Sequence, residues 1–236
     1  MNKADIHIFG VHSRESMILA TAQKLSLPEE YIHYDDRPNG GSVMYTAKKA
    51  WLSSIPDGIT HRVVLNDDIE VCNGFTEICT KMINAHPDDV ITLFPYQFMH
   101  RQLGLEKLLT PYVVSNTLSS CGIIMPVKYI VPCFKWIDDH YSNPQEDDYH
   151  IQLWATANNI RMLTTIPATL QHIGDDSIFN PQAPIRRTDY YEQNPVADWE
   201  SPMVAVILTK EWFFSNHGKR SNIGGDIRYV SQYPRA

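Results

Sequence analysis

Residues 61–71 read HRVVLNDDIEV. The β-forming run 62–65 leads straight into Asn66-Asp67-Asp68, so the spacing predicts a strand that ends on a polar turn. The flanking sequence repeats this pattern. Upstream, IHIFGV (6–11) predicts a first strand, and 14–25 predict a helix with Met17, Ile18, Ala22 and Leu25 on one face. Residues 31–34 predict a second strand. A loop crowded with Asp, Pro, Asn and Gly follows over 35–41, then a helix over 42–53 with Ser42 as its N-cap. Downstream, Phe75, Ile78, Cys79, Met82 and Ile83 recur at i, i+3, i+4, i+7 and i+8, the signature of one buried helical face. A fourth strand is expected over 90–94. Strand and helix therefore alternate through residue 94, which predicts an α/β fold with a mostly parallel, doubly wound, twisted sheet flanked by helices.

The second half is less regular. Strands are expected over 112–115, 121–125, 162–166 and 168–173, and a helix over 146–158. A helical stretch over 126–141 contains Pro132, which should start or break it. After residue 180 the chain is rich in Pro, Asn, Tyr and Arg, and one ordered segment is expected over 203–214.

Composition narrows the class. Of 236 residues, 43% are hydrophobic and 20% charged, enough apolar material for a sizeable core and too much for a disordered chain. The longest apolar runs, 121–127 and 203–208, are far short of the roughly 20 residues that span a bilayer. The first ten residues carry no signal-peptide apolar region, so a cytoplasmic protein is expected. Cys72, Cys79, Cys121 and Cys133 form no CxxC pair, which points to reduced, buried thiols rather than a zinc site. The formal net charge is −7, unlike the basic total usual for a general nucleic-acid binder.

The acids are clustered. In open α/β sheets ligands bind beyond the carboxyl ends of strands, and Asp67 and Asp68 sit at such an end. Two carboxylates there could hold a hard divalent cation, which prefers oxygen ligands; taken alone, such a pair is more often a solvated turn or an N-cap before the 75–83 helix. His172, in QHIGDDS, follows an extended segment, and its imidazole could complete a metal site. Glu146-Asp147-Asp148 open a helix, where acids suit the helix dipole or could serve as a general base. The Asn39-Gly40-Gly41 loop allows close backbone approach to a ligand.

Taken in order, these elements resemble glycosyltransferases of the GT-A type from about residue 5 to about residue 180. Val63-Val64-Leu65-Asn66-Asp67-Asp68 looks like the family's apolar strand and DxD-type motif, with Asn66 in place of the usual first acid and Asp68 at the metal-binding position. Glu146-Asp147-Asp148 looks like the helix-opening base motif. PATLQHIGDDS (167–177) looks like the segment that returns a histidine to the metal. Gly10, Val11, His12 and Arg14 fall where the first strand meets the nucleotide. Asp35 and Asn39, Gly40 and Gly41 fall where the base, ribose or sugar of the donor is met.

The resemblance implies a GT-A-like domain over 1–180, with a nucleotide-sugar-binding half (1–95) and an acceptor-binding half (96–180), and a C-terminal extension (181–236) packed on it. It implies transfer of a hexosyl or pentosyl group from a nucleotide diphosphate sugar, expected to be a UDP-sugar, to a hydroxyl. Mn²⁺ or Mg²⁺ would be held by Asp68 and His172 with Asp67 nearby, and Arg14 would touch phosphate. In an inverting reaction Asp148 or Asp147 would be the base; in a retaining one these acids would instead bind sugar or acceptor hydroxyls, and the sequence does not decide between the two. The acceptor could be a glycan hydroxyl or a hydroxymethylated base in DNA. For DNA speaks the tail from residue 210, where Lys210, Lys219, Arg220, Arg228 and Arg235 outnumber Glu211 and Asp226 and aromatic residues are interleaved. Two other classes remain open: a non-catalytic nucleotide-sugar-binding module, and a nucleotidyltransferase on a similar core. The latter usually carries a Gly-rich basic loop, which IFGVHSRES (8–16) lacks.

Overall fold

The computed structural model describes residues 2–37, 42–95, 109–174, 188, 191–208 and 226–230, with 207–208 and 226–230 described as backbone only. Its strands are β1 (Ala4–Val11), β2 (Ile32–Asp35), β3 (His61–Asn66), β4 (Ile69–Val71), β5 (Val90–Thr92), β6 (Tyr112–Ser115), β7 (Gly122–Pro126), β8 (Met162–Thr165), β9 (Leu170–His172), β10 (Val204–Leu208) and β11 (Asp226–Val230). The helices are α1 (Glu15–Leu25), α2 (Val43–Leu52), α3 (Phe75–Ala85), α4 (Val127–His140) and α5 (Asp147–Ala157).

Nine strands form one sheet in the order β11-β10-β6-β8-β5-β7-β3-β1-β2, and β4 and β9 form a separate two-stranded ribbon. The α/β class and the flanking helices are as expected, and six of the nine strands (β1, β2, β3, β5, β8, β11) share one direction. The order is not a simple doubly wound series. β7 inserts antiparallel between β3 and β5, so the third and fourth expected strands are not neighbours. β7 is buried along its whole length. Its Gly122 admits Leu170, whose Cδ2 would lie 2.5 Å from any added Cβ.

Alternation along the strands sends side chains to two cores. Ile6, Ile8, Val63 and Leu65 meet Ile18 and Ala22 of α1 and the full Phe75, Ile78, Cys79, Met82, Ile83 face of α3. Phe9, Val64, Ile123 and Met125 meet Met44, Ala47 and Trp51 of α2, Phe134 of α4 and Ile151 and Trp154 of α5. These apolar stripes, rather than intrinsic propensity, hold the helices.

Several local expectations change. Pro132 lies inside α4 and does not break it. It faces solvent while Ile130, Cys133, Phe134 and Ile137 anchor the buried side, so the carbonyl that lacks a donor can be hydrated. Ser42 occupies the N-cap position of α2, but its hydroxyl caps nothing; its carbonyl accepts a bond from Arg37 instead (3.1 Å). All four cysteines are free and buried, as expected.

Residues 191–208 belong to the same body. The Tyr112 hydroxyl donates to the Trp199 carbonyl (2.5 Å), and a His86 ring nitrogen meets the Ser201 carbonyl (3.1 Å). These anchors deliver β10 to β6. No helix among the described residues is long and apolar enough to cross a membrane.

Candidate functional site

β1 and β3 run parallel and end side by side, with Phe9 opposite Asn66. The chain leaves β1 through Gly10 and Val11 into a short 3-10 turn, His12–Arg14. It leaves β3 through Asp67 and Asp68 into β4. β4 then pairs antiparallel with β9, placing Ile69 opposite His172. The Ile173 N–H donates to the Asp68 carbonyl (2.8 Å) and closes the end of the ribbon. This pairing carries His172 back to an acid 104 residues earlier in the chain.

Both acids are nearly inaccessible. Asp67 accepts bonds from the Val11 N–H (2.9 Å) and from Arg14 (3.0 Å). Burial pushes its pKa up, the adjacent Asp68 charge pushes the same way, and those two donors only partly offset them. Asp68 differs. Burial is again the largest influence, but the bond from His172 (Nε2 to Oδ2, 3.0 Å) and the charges of His172 and Arg14 outweigh it and hold its pKa below the ordinary value. Asp68 is therefore the more acidic of the pair. The Arg14 guanidinium bonds to Asp68 Oδ2 as well and so bridges the two carboxylates.

Two backbone positions keep this cluster tight. A Cβ on Gly10 would lie 2.1 Å from Asp67 Cβ, and one on Gly174 would lie 2.6 Å from Asp68 Oδ2. Only glycine permits such approach. Asp68 Oδ1 and His172 Nδ1 are buried with no hydrogen-bond partner.

A second set of contacts links the strand end to α5. The Asn66 amide donates to Ser120 Oγ (3.3 Å), the Ser120 N–H donates to Asp148 Oδ2 (2.9 Å), and the Tyr149 N–H donates to Asp148 Oδ1 (2.7 Å). Asp148 is thus aimed at the loop beside Asn66. Asp147 points elsewhere. It is 1% exposed, beneath α2, where Trp51 Nε1 donates to its Oδ2 (3.4 Å) and its Oδ1 has no partner.

Burial, with the Asp148 charge adding to it, pushes the Asp147 pKa up to about 7, and the Trp51 bond only partly offsets this. A carboxyl raised on folding stays protonated in the folded state after the unfolded chain has lost its proton. Its stabilising contribution is complete below about pH 4 and is lost as pH rises towards 7. Asp147→Asn is expected to remove that fall. Its thermal midpoint at pH 8 should exceed the wild-type value by roughly 5–10 °C, and the gain should vanish near pH 4. Parallel melting curves across this range check the prediction.

The remaining expected residues divide in two. Asp35 lies opposite Val11 at the end of β2. Its carboxylate is held by Arg37 (Nε 2.9 Å, NH2 2.7 Å), whose bonds are the largest cause of its lowered pKa. His12 is exposed and stacks on Tyr34, ring centroids 4.4 Å apart. Gly10, Val11, Arg14, Asn66, Asp67, Asp68, His172 and Asp148 are brought together. Asp35 and His12 flank them, and Asp147 is turned away. Asn39, Gly40 and Gly41 lie outside the described residues, as do His100, Arg101, Asp175 and Asp176.

Sequence reasoning missed Ser120, whose N–H orients Asp148. A lone serine in a loop carries no signal of that role. Arg14, expected to touch phosphate, bonds both acids in this structure.

Among the described residues no three His, Cys, Asp or Glu side chains converge as a complete metal-binding group. Asp68 and His172 supply two donors of suitable type, with an unpartnered carboxylate oxygen on Asp68. That set fits a small divalent cation which takes its other ligands from substrate phosphate and water. No protein-family model matches the sequence, and no curated protein is significantly similar to it.

Proposed function

We propose that this chain is a GT-A-type glycosyltransferase that moves a sugar from a nucleotide diphosphate sugar to a hydroxyl acceptor. The observation that supports it best is the pairing of Asp68 with His172 across the β4–β9 ribbon, at the carboxyl end of β3 and within one bonded chain, Asn66–Ser120–Asp148, of a helix-opening acid. An α/β sheet uses that end for ligands.

Asp68 and His172 would hold Mn²⁺ or Mg²⁺, which when bound supplies Lewis-acid stabilisation of charge on the leaving diphosphate. Val11, Arg14 and Asp35 line the adjacent ends of β1 and β2, where the nucleoside, expected to be uridine, would lie. Asp148, fixed by two backbone N–H groups, would accept the acceptor hydroxyl's proton as it attacks the anomeric carbon in an inverting reaction.

The test is release of nucleoside diphosphate from a panel of nucleotide sugars with Mn²⁺ or Mg²⁺, run with simple sugars and with hydroxymethylated DNA as acceptors. Asp148→Asn is expected to lower turnover at least about 10²-fold with donor binding intact. Near-normal turnover in that variant would remove the base assignment and favour a retaining reaction. Donor binding without any release, with every acceptor, would favour a binding module.

A further inference from the structure

We infer that Arg14 is a resident cation which holds the Asp67–Asp68 site in its ligand-free state, is displaced from Asp68 by an incoming divalent metal ion, and then turns to the diphosphate that accompanies it. The inference rests on the reading of Asp68 and His172 as the cation donors.

Asp67 and Asp68 are adjacent and nearly buried, with side chains 10% and 5% exposed. Two such carboxylates repel each other and cannot both ionise at low cost without a cation between them. The Arg14 guanidinium fills that role, bonding Asp67 Oδ1 and Asp68 Oδ2 through the same nitrogen, NH1. A metal ion that ligates Asp68 through its unpartnered Oδ1 brings a second positive charge beside the guanidinium on Oδ2, and their repulsion in this buried setting disfavours both staying.

The geometry provides for Arg14 to leave. Asp67 keeps the Val11 N–H, and Asp68 keeps His172 or gives it to the metal, so neither acid is stranded. Asp68 Oδ1 is buried and has no partner, which leaves one carboxylate oxygen open to a new ligand. Arg14 comes from the short turn between β1 and α1, beside the Val11 N–H, and its side chain is 16% exposed. It reaches the acids from the rim of the site and belongs to neither apolar core. Guanidinium is the side chain best matched to phosphate oxygens.

Competition has a defined thermodynamic consequence. The apparent metal affinity is reduced by the fraction of molecules in which Arg14 occupies the site. A diphosphate that captures the displaced guanidinium then strengthens metal binding, and the metal strengthens diphosphate binding by the same factor. Arg14 would make the two ligands bind together rather than singly.

The experiment is Mn²⁺ titration at pH 7.5, followed by the electron paramagnetic resonance of free Mn²⁺, with and without UDP and with no sugar donor. In the wild type, Mn²⁺ alone is expected to bind weakly and UDP to tighten it at least tenfold. In Arg14→Ala, Mn²⁺ alone should bind at least tenfold more tightly than in the wild type, and most of the UDP enhancement should disappear. Arg14→Lys, which keeps the charge but not the planar fork, should fall between and serves if the alanine variant is poorly folded. Asp68→Asn should abolish binding. Equal or weaker Mn²⁺ binding in both Arg14 variants, binding that survives Asp68→Asn, or no binding in any variant would each overturn the inference. No transfer chemistry enters these titrations. Competition at Arg14 without release of diphosphate from any nucleotide sugar would refute the transferase reading alone, and release without competition would refute only the role of Arg14.

Discussion

Asp68→Asn is expected to reduce release of nucleoside diphosphate by on the order of 10³-fold or more, leaving only a residue that no divalent cation stimulates. The size follows from what the carboxylate does. A metal ion at a leaving diphosphate supplies several kcal/mol of stabilisation, and each ~1.4 kcal/mol is a tenfold change in rate. His172 and Arg14 hold the Asp68 pKa down, and Asp68 carries the unpartnered oxygen, so under the proposed reading it is the ligand the metal would depend on. Asp67→Asn should have a smaller effect, because that carboxylate is committed to the Val11 N–H and Arg14. His172→Ala should sit between them. Steady-state release assays with and without a chelator rank the three variants. Equal losses for Asp67 and Asp68 would show that the pair acts only through its summed charge.

The second large effect concerns the frame that carries the site. Arg62 is completely buried at the start of β3, and its guanidinium grips Asp5 on β1 (Nε to Oδ1 3.1 Å, NH2 to Oδ2 2.6 Å). Its other donors go to the carbonyls of Ala50, Trp51, Ser53 and Ser54, at 2.9–3.0 Å. Ala50 and Trp51 are in the last turn of α2, whose carbonyls lack intrahelical partners, and Ser53 and Ser54 follow its end. A cation there also suits the negative end of the helix dipole.

Asp5 is held in turn by His7 Nε2 (3.1 Å). Burial disfavours its ionisation most strongly, yet the bonds from His7 and Arg62 prevail and its pKa is lowered. Its contribution is therefore present at neutral pH and lost as pH falls below the ordinary carboxylate range.

Removing one partner of a buried pair leaves a charge without compensation, at a cost of about 3–5 kcal/mol. Asp5→Leu or Arg62→Met should lower the thermal midpoint by roughly 10–15 °C for a chain of this size. The double variant should recover part of the loss. It cannot recover all of it, because the α2 carbonyls still lack a donor. Melting curves of the two single variants and the double variant measure this directly. Full recovery would mean that the carbonyl contacts contribute little.

How much of this was legible in the sequence depends on the range of the interaction. α3 could be read from its period alone, because every residue that spacing picked out is buried. The acids at the end of β3 could be read because a strand that stops on Asn-Asp-Asp announces its own boundary. The order of the strands could not be read. β7 looks like any short apolar run, and its antiparallel insertion depends on which partners it meets across the sheet.

Asp147 and Asp148 show the same limit on a smaller scale. Consecutive helical residues point about 100° apart, but their names do not say which one faces Trp51 and which one faces Ser120. That Arg14 follows the end of β1 could be read from the sequence, because its position after that strand is local. Its bridge to both acids arises only when β1 and β3 end together.

The most direct test is calorimetric titration of the wild-type protein with a nucleoside diphosphate, UDP first, in the presence and absence of Mn²⁺. The account predicts binding that requires the cation and that disappears in Asp68→Asn while the protein stays folded. Binding of equal strength after chelation, or in Asp68→Asn, would contradict it, as would no binding of any nucleoside diphosphate with the cation present.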